Sequence, residues 1–481
     1  MTVQKYNQAD QTGHRPLTAD PSNPDTIAAI STPQGAGGIS VVRISGPDAL
    51  ATGKALFEPQ AKSPDWEPKP RFMHLGFALE YNSGERLDQV LLTFFPGPAS
   101  YTTEDVVEIH CHGGSALAKR ILEQTLNLNC RVARAGEFTL RAYLGGRIDL
   151  SQAEAISDLI SSNTQAEARI ALSVLQGKMG HDLDYIRNSL INCAAEIEAS
   201  IDFDDDVTGI DHSNLAFMLE SSVLKPLNVL IKNRNKWLPY RDGIRLSLCG
   251  KPNAGKSSLF NAILGYERAI VSNLPGTTRD SLEEACIISG ITCRFADTAG
   301  LGTPQDEVEA EGIKRAYSQV EASDLTILVL DRSQPLTDMD RHILQKTRNT
   351  KRIIAVSKCD LTPAWDLDVL RETNSPITKI SSKTLLGFDK FLDKLTELIT
   401  NGQPEPVPGQ TVVNQRHADC LNAANLQVAK ALNIIRNHGA SYEELISLHL
   451  EEALHFLSQI DGQVLDDQVI DAVFSNFCVG K

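Results

Sequence analysis

The chain has 481 residues, 42% of them hydrophobic, and a formal net charge of −15. That length exceeds a single hydrophobic core, so roughly two or three domains are expected. No apolar run reaches the ~18 residues that mark a membrane span, and the negative balance argues against a broad electrostatic footprint for nucleic acid. Nine scattered cysteines without a paired Cys-x-x-Cys suit a reducing compartment, so a cytoplasmic location is expected.

Residues 1–24 are polar and proline-containing, with Lys5 and Arg15 as their only Lys or Arg residues. They read as a disordered tail, unlike a signal or transit peptide. Residues 25–145 mix strand-like runs at 38–44, 89–95 and 105–110 with turns, which predicts an α+β domain. His110 and His112 alternate along one of these runs. No further ligand stands at metal-site spacing, so a metal and a packed or substrate-lining strand end both remain open. From Ser151 the chain turns helical over 146–240: Ser151 and Glu154 form a capping-box pattern, and no proline occurs between Pro98 and Pro226. Ile156, Leu159, Ile160, Ile170, Val174 and Leu175 recur at helix-face spacing.

The most informative stretch is Gly250-Lys-Pro-Asn-Ala-Gly-Lys-Ser257, which follows an apolar run at 244–248 and opens into a helical pattern. Strand, glycine loop and helix together predict a phosphate-binding loop whose N–H groups face the anion. Lys256 is expected to reach the β- and γ-phosphates and the Ser257 hydroxyl to bind Mg²⁺, with Asn253, Ala254, Gly255 and Ser258 beside the nucleotide. Gly276-Thr-Thr-Arg-Asp280 is a polar loop in which a threonine can ligate Mg²⁺ while a γ-phosphate is present. Phe295-Ala-Asp297-Thr298-Ala299-Gly300 ends a strand, placing Asp297 to hold the metal through water and Gly300 to offer its N–H to the γ-phosphate. The apolar runs 326–331 and 352–357 read as parallel strands covered on both faces. Ser357-Lys358-Cys-Asp360 then falls at a strand's C-terminal end. A carboxylate at Asp360 accepts from N1–H and the 2-amino group of guanine, so GTP is the expected nucleotide. Ser357 stands where such motifs usually carry Asn, and some base-loop hydrogen bonding is expected to be lost. Ile380-Ser381-Ser382-Lys383 fits the last base-contacting loop, with Ser382 in place of the usual Ala.

The position that carries a water-orienting glutamine in Ras-like switches is Leu301, which cannot hydrogen-bond to water. Asp306, Glu307, Glu309 and Glu311 follow in the next loop, where a solvated acidic helix start accounts for most of them. The GTPase segment, 241–403, interrupts the helical material; residues 401–410, with Pro404, Pro406 and Pro408, read as a stiff linker, and helices resume across 404–481. One helix is expected to end near Gly439, and the next to begin at Ser441 with Glu444 as its capping partner. Terminal tails normally fray, so an ending that must bury Phe477 and Val479 suggests docking. Cys478 between them is either a substrate-proximal group or a small buried hydrophobe.

With these motifs the chain resembles the bacterial and organellar tRNA-modification GTPases called MnmE or TrmE. The resemblance spans residues 25–481. It rests on Asp25-Thr-Ile-Ala-Ala-Ile, Val42-Arg-Ile-Ser-Gly-Pro47, Tyr101-Thr-Thr-Glu-Asp-Val-Val-Glu-Ile109, Gly136-Glu-Phe-Thr-Leu-Arg-Ala142, Asp149-Leu-Ser-Gln-Ala-Glu-Ala155 and Phe477-Cys-Val-Gly-Lys481, besides the GTPase motifs. It implies a folate-binding and dimerising α+β N-terminal domain, an all-α helical domain and an inserted Ras-like α/β P-loop GTPase domain. It implies that Glu309 orients the attacking water. In place of an arginine finger, K⁺ would bind between paired G domains through Asn253 and backbone oxygens around Ser272, Leu274 and Thr277. Thr278 corresponds to the Mg²⁺ ligand. A tetrahydrofolate derivative, 5-formyl or 5,10-methylene, would meet Arg43, Glu108, Arg147 and Lys481, with Cys478 as the candidate catalytic thiol. Two departures stand out: Arg147 replaces the usual lysine, and Gln34-Gly-Ala36-Gly-Gly38 lacks the arginine of Pro-x-Gly-Arg-Gly-Gly. The implied function is K⁺-dependent GTP hydrolysis by a homodimer. With the FAD/NADH-binding partner MnmG (GidA), in a heterotetramer, it would add a (carboxymethyl)aminomethyl group at C5 of the wobble uridine of certain tRNAs.

The main alternative is a regulatory or ribosome-assembly switch acting only by nucleotide-dependent binding. Such proteins usually carry an RNA-binding appendage, where this chain carries a folate-like N-terminal region. A stand-alone folate-dependent methyl transferase fits less well, since no segment resembles a flavin or nicotinamide site.

Overall fold

The computed structural model describes residues 25–33, 35–60, 65–202, 211–266, 268–270, 284–296, 318, 320–407, 410–438, 442–464, 467–475 and 477–480. They fall into two units, 1–157 with 451–481 and 158–450.

In the first unit, alternating strands build a seven-stranded sheet in the order β3-β4-β5-β6-β2-β1-β7. The strands are β1 (Thr26–Ile30), β2 (Ile39–Ser45), β3 (Phe57–Pro59), β4 (His74–Leu79), β5 (Arg86–Phe95), β6 (Val106–His112) and β7 (Cys130–Val132). Only the β1–β7 pair is parallel. The runs read at 38–44, 89–95 and 105–110 are β2, β5 and β6. Val42, Ile44, Leu92 and Ile109 share a core with Ala49 of α1 (Ala49–Ala55) and Ala118 and Ile121 of α2 (Ser115–Leu126). Side chains alternate along a strand, so Arg43 and Glu108, paired in register, emerge together on the other face.

The helices α3 (Glu137–Leu144) and α4 (Leu150–Ser161) share a further core with the helix Asp467–Ser475 through Leu140, Leu150, Ala153, Ile470, Phe474 and Phe477. Gly136 precedes α3 at φ +68°, and a Cβ there would lie 2.7 Å from the Phe474 carbonyl oxygen and 3.1 Å from Phe477 Cβ. Glycine is required twice over, by backbone and by space. The start of α4 differs from the Ser151–Glu154 pattern. Asp149 Oδ1 accepts from Gln152 N at 2.8 Å, and Gln152 Oε1 accepts from Asp149 N at 2.9 Å, so the reciprocal cap sits two residues earlier. Ser151 Oγ donates to the same carboxylate at 2.7 Å. The buried face of α4 is carried by Leu150, Ser151, Ala153 and Ala155, while Ile160 is exposed.

A buried ion cluster ties this unit together. Arg141 donates to Glu104 Oε2 at 2.9 Å, to Asp25 Oδ1 at 2.7 Å and to Glu137 Oε1 at 3.3 Å. Arg131 adds a bond to Glu137 Oε2 at 2.8 Å, and the Arg134 N–H donates to the same oxygen at 2.8 Å. Burial pushes the Glu137 carboxyl up, yet these donors outweigh it and hold the group below its ordinary range.

The second unit begins with helices α5 (Gln165–Leu175), α6 (Lys178–Asp202), α7 (His212–Met218) and α8 (Lys225–Asp242). The strands β8 (Ile244–Cys249), β9 (Arg268–Ile270), β10 (Glu284–Ile288), β11 (Ile291–Ala296), β12 (Leu325–Asp331), β13 (Arg352–Ser357) and β14 (Ile377–Lys379) follow. The sheet order is β14-β13-β12-β8-β11-β10-β9. Pairs from β14 through β11 are parallel, whereas β10 runs antiparallel to both β11 and β9. The runs read at 244–248, 326–331 and 352–357 are β8, β12 and β13, and the last two are buried at every position. Ser289 and Gly290, both at positive φ, make the β10–β11 hairpin.

α9 (Lys256–Tyr266) and the helices Asp338–Lys346 and Phe388–Thr400 accompany this sheet. Ala166 and Ile170 of α5 and Trp237 and Tyr240 of α8 join its core beside Ile291 and Cys293. Thr164 and Glu167 form the α5 capping box, and Glu167 Oε1 also accepts from Thr292 Oγ1 of β11 at 2.6 Å. The helix Gln415–His438 ends where Gly439 was expected to stop it, although Gly439 and the Ser441 cap lie outside the described residues. Among the described residues no helix is long and apolar enough to cross a membrane.

Removing Glu137 while Arg141 stays buried is expected to cost about 3–5 kcal/mol. Because the native pKa is depressed, the stabilisation is fully present above the ordinary value of 4.5 and is lost as pH falls through the lower native value. Urea unfolding of wild type and Glu137→Gln checks this: the gap between them should stay constant from neutral pH to pH ~5 and shrink below the ordinary carboxylate range.

Candidate functional site: a phosphate loop and a cationic-aromatic slot

The loop between β8 and α9 is bent by three residues at positive φ: Gly250 at +151°, Asn253 at +62° and Gly255 at +103°. A Cβ on Gly250 would lie 2.4 Å from the Val329 carbonyl oxygen, so glycine alone lets the loop leave β8 against β12. Such a bend at a helix N-terminus turns successive N–H groups toward one point, where an anion is favoured. Lys256 opens α9 and folds its ammonium back onto the carbonyl oxygens of Gly250 and Lys251, at 2.9 and 3.1 Å. Burial lowers its pKa, and among the described residues no carboxylate pairs with it. Its charge is therefore left for a phosphate. Cys249, directly below, is pushed up to about 12 by burial and stays a neutral thiol. Asn253, Ser257 and Ser258 are exposed, while Ala254 is fully buried.

The strand ends beside this loop hold it from behind. Ser357 Oγ donates toward the Ala254 carbonyl oxygen at 2.6 Å, and Lys358 Nζ donates to the Asn253 carbonyl oxygen at 2.9 Å. Lys358 also pairs with Asp331 Oδ2 at 2.6 Å. Burial opposes the Asp331 charge, but hydrogen bonds from Lys358 and Ser333 hold its carboxyl below the usual range. Lys251 makes a buried ion pair with Asp340 Oδ2 at 2.9 Å, and the same oxygen accepts from Thr337 N at 2.9 Å at the start of the helix Asp338–Lys346. Asp360 is exposed at the end of this strand turn. The Cys359 N–H bonds the Ile380 carbonyl oxygen at 3.1 Å, which fixes the 380–383 loop beside it. In that loop Ser381 is buried, Ser382 half-buried and Lys383 exposed.

Asn253, Ala254, Gly255, Lys256, Ser257, Ser258, Ser357, Lys358, Asp360, Ser381, Ser382 and Lys383 are thus described. Ser272, Leu274, Thr277, Thr278, Asp297, Thr298, Ala299, Gly300, Glu309 and Lys481 lie outside the described residues. Sequence reasoning missed Asp331, Lys251 and Asp340. The Thr337–Asp340 capping box was legible as spacing, but its carboxylate's partner in the loop comes from the fold.

In the first unit, Arg43 Nε donates to Glu108 Oε1 at 2.9 Å, and His110 Nε2 lies 3.3 Å from Glu108 Oε2. Burial raises the Glu108 pKa, but the His110 hydrogen bond and the Arg43 charge reverse the shift and lower it overall. The Arg43 guanidinium stands 5.4 Å from the Tyr101 ring centroid and 5.6 Å from that of Phe138. Arg147 lies over the same tyrosine at 4.9 Å and donates to the Tyr101 carbonyl oxygen at 2.7 Å. Tyr101 and Phe138 were not singled out from sequence, although both fall inside quoted motifs. His112 does not join this cluster: it is exposed and its Nδ1 lies 2.7 Å from Asp88 Oδ1. The C-terminal segment docks on Ile30, Ala135 and Gly136 of the same unit. Val479 bridges Ala135, the Gly136 N–H points at the Cys478 carbonyl oxygen at 3.4 Å, and Gly480 sits against the Ile30 carbonyl. Cys478 itself is exposed, so it is not a buried hydrophobe; Phe477 is the buried anchor, whereas Val479, expected to bury with it, is exposed and pairs through its backbone.

A glycine loop opening into a helix with Lys256 and Ser257, at the end of a parallel strand and beside Ser357-Lys-Cys-Asp360, defines a P-loop GTPase. Residues 26–147 match the family model of the GTP-binding protein TrmE N-terminus, and residues 150–478 match that of the MnmE helical domain. The tRNA modification GTPase MnmE of Natranaerobius thermophilus is 38% identical over 460 residues, covering 95% of this chain and 99% of that protein. The protein of the same name from Moorella thermoacetica is 37% identical over 469 residues, covering 95% of this chain and 99% of its own. The chain belongs to the family of tRNA modification GTPases named MnmE.

Asp340→Ala leaves Lys251 charged and buried without its partner, with an expected loss of about 3–5 kcal/mol. Lys251→Met combined with Asp340→Asn removes both charges, keeps an oxygen for the Thr337 N–H and should recover most of it, as measured by chemical unfolding of the two variants and wild type.

Proposed function

We propose that this GTPase hydrolyses GTP in a K⁺-dependent way through paired G domains. With an FAD/NADH-binding partner, MnmG, it uses a tetrahydrofolate derivative to add a (carboxymethyl)aminomethyl group at C5 of the wobble uridine of certain tRNAs. The observation that carries the reading beyond GTP is the docked C-terminal segment. The elements it touches, Ile30 and Ala135–Gly136, adjoin the residues that frame the Arg43–Glu108 pair, since Ala29 pairs with Arg43 and Phe138 lies under its guanidinium.

The residues present fit the groups this reading requires. Asn253 and Ser257 offer exposed oxygen donors at the phosphate loop, the donor type that hard cations take. There Mg²⁺ would be held by Ser257 and Thr278, and K⁺ by Asn253 with backbone oxygens of Ser272, Leu274 and Thr277. A cation beside the β- and γ-phosphates supplies positive charge where the transition state accumulates negative charge. Lys256 moves from the loop carbonyls to the phosphates, the loop N–H groups orient them, and Glu309 holds the attacking water. In the first unit Glu108, kept ionised, accepts hydrogen bonds from a polar heterocycle, while Arg43 and Arg147 over Tyr101 form a cationic-aromatic wall for it. Bound folate would supply the carbon. Cys478, exposed on the docked tail, would act as the thiol of this site, and Lys481 would provide the last charge. Neutralisation of the chain's −15 by tRNA-facing cations is not needed if MnmG carries most of the RNA contact.

GTP turnover by the full chain in KCl should exceed that in NaCl by ~10²-fold, the size of a lost electrostatic group in comparable transition states, and Glu309→Ala should abolish the difference. Slow turnover indifferent to both changes would reject the mechanism. Cys478→Ser should eliminate wobble-uridine modification in the reconstituted reaction with MnmG while leaving GTP turnover unchanged; full modification would remove the thiol from the chemistry.

A further inference from the structure

The hydroxyl of Ser357 faces the phosphate loop. Its oxygen lies 2.6 Å from the Ala254 carbonyl oxygen and 3.2 Å from the Leu330 carbonyl oxygen of β12. A serine hydroxyl has one proton to give, and both neighbours are acceptors, so the proton is committed whichever carbonyl takes it. Ser357 is also only 2% exposed, so a base entering the site does not reach it. The next residue is largely occupied: two of the three N–H groups of the Lys358 ammonium go to Asp331 Oδ2 and the Asn253 carbonyl oxygen. What this turn leaves facing outward is Asp360, whose carboxylate only accepts.

Guanine presents donors at N1 and the 2-amino group and acceptors at O6 and N7. Asp360 matches the donor edge. N7 requires a donor, and here the Ser357 proton is spent on a carbonyl while the Lys358 ammonium is held against Asp331 and the phosphate loop. We infer that this site selects guanine through its Watson–Crick edge and leaves N7 unread, with Ser357 serving as a positioning residue that ties the base loop to the phosphate loop. The inference rests on the reading of Asp360 as the base-contacting carboxylate. It adds that the serine departure removes a base contact while keeping the brace on Ala254.

The test is competition by GTP and 7-deaza-GTP against a fluorescent GDP on the full-length chain, since 7-deaza-GTP differs only by a C–H in place of N7. Equal affinities within about twofold are expected; a preference for GTP of about tenfold, the size of one hydrogen bond to the base, would overturn the inference. Ser357→Ala should weaken both nucleotides by the same factor, and Ser357→Thr should restore them. Unequal weakening, or none, would contradict the positioning role. Asp360→Asn separates the underlying reading: it should shift preference from GTP to XTP, whose 2-oxo group accepts from the amide. Failure there would indict Asp360, while the 7-deaza comparison on wild type would still judge N7.

Discussion

A loop that binds anions through its N–H groups must first dispose of its carbonyl oxygens. In this chain side chains do so. Lys256 holds the carbonyls of Gly250 and Lys251, Lys358 holds that of Asn253, and Ser357 holds that of Ala254. Each bond pulls an acceptor away from the anion site, so the electrostatic character of the loop is set before a nucleotide arrives. The donors come from α9 and from the end of β13, and the Lys251–Asp340 pair adds a third anchor on the helix Asp338–Lys346. Sheet order therefore matters to chemistry: β12 and β13 bring Asp331 and Ser357 into register behind the loop that leaves β8.

The first unit uses the same physics with charge in place of backbone dipoles. Glu137 and Arg141 are almost fully buried, and they persist because each carboxylate oxygen and most guanidinium N–H groups find partners in the cluster. That cluster fixes the start of β1, the loop around Glu104 and the beginning of α3. These are also the elements that carry Phe138 and border the Arg43–Glu108 pair. Rigidity near the slot is thus obtained from interactions that do not themselves face it.

Much of this was legible in the chain because local patterns carried it. Glycines, Lys256 and Ser257 at fixed spacing between a strand and a helix can hardly be arranged otherwise, and the continuous apolar runs of β12 and β13 admit little besides a covered parallel strand. What escaped was set by tertiary contact. Asp149 rather than Ser151 caps α4 because Gln152 reciprocates its hydrogen bond, while Glu154 comes two residues too late. Ile160 fits helical spacing yet is exposed, because small residues line the buried face of α4. β10 and its hairpin with β11 were missed, being polar at one end and turned by Ser289-Gly290. The loss foreseen from Ser357 was incomplete as a reading, since its hydroxyl reaches across to Ala254, a residue remote in sequence.

The most direct measurement is a crystal structure of the chain with a non-hydrolysable GTP analogue in potassium-containing solution. If the loop is held from behind as described, Ser357 and Lys358 will still bond the Ala254 and Asn253 carbonyls, and Lys256 alone will have left Gly250 and Lys251 for the phosphates. A loop whose backbone has refolded around the nucleotide, with the Ser357 and Lys358 contacts broken, would contradict this account.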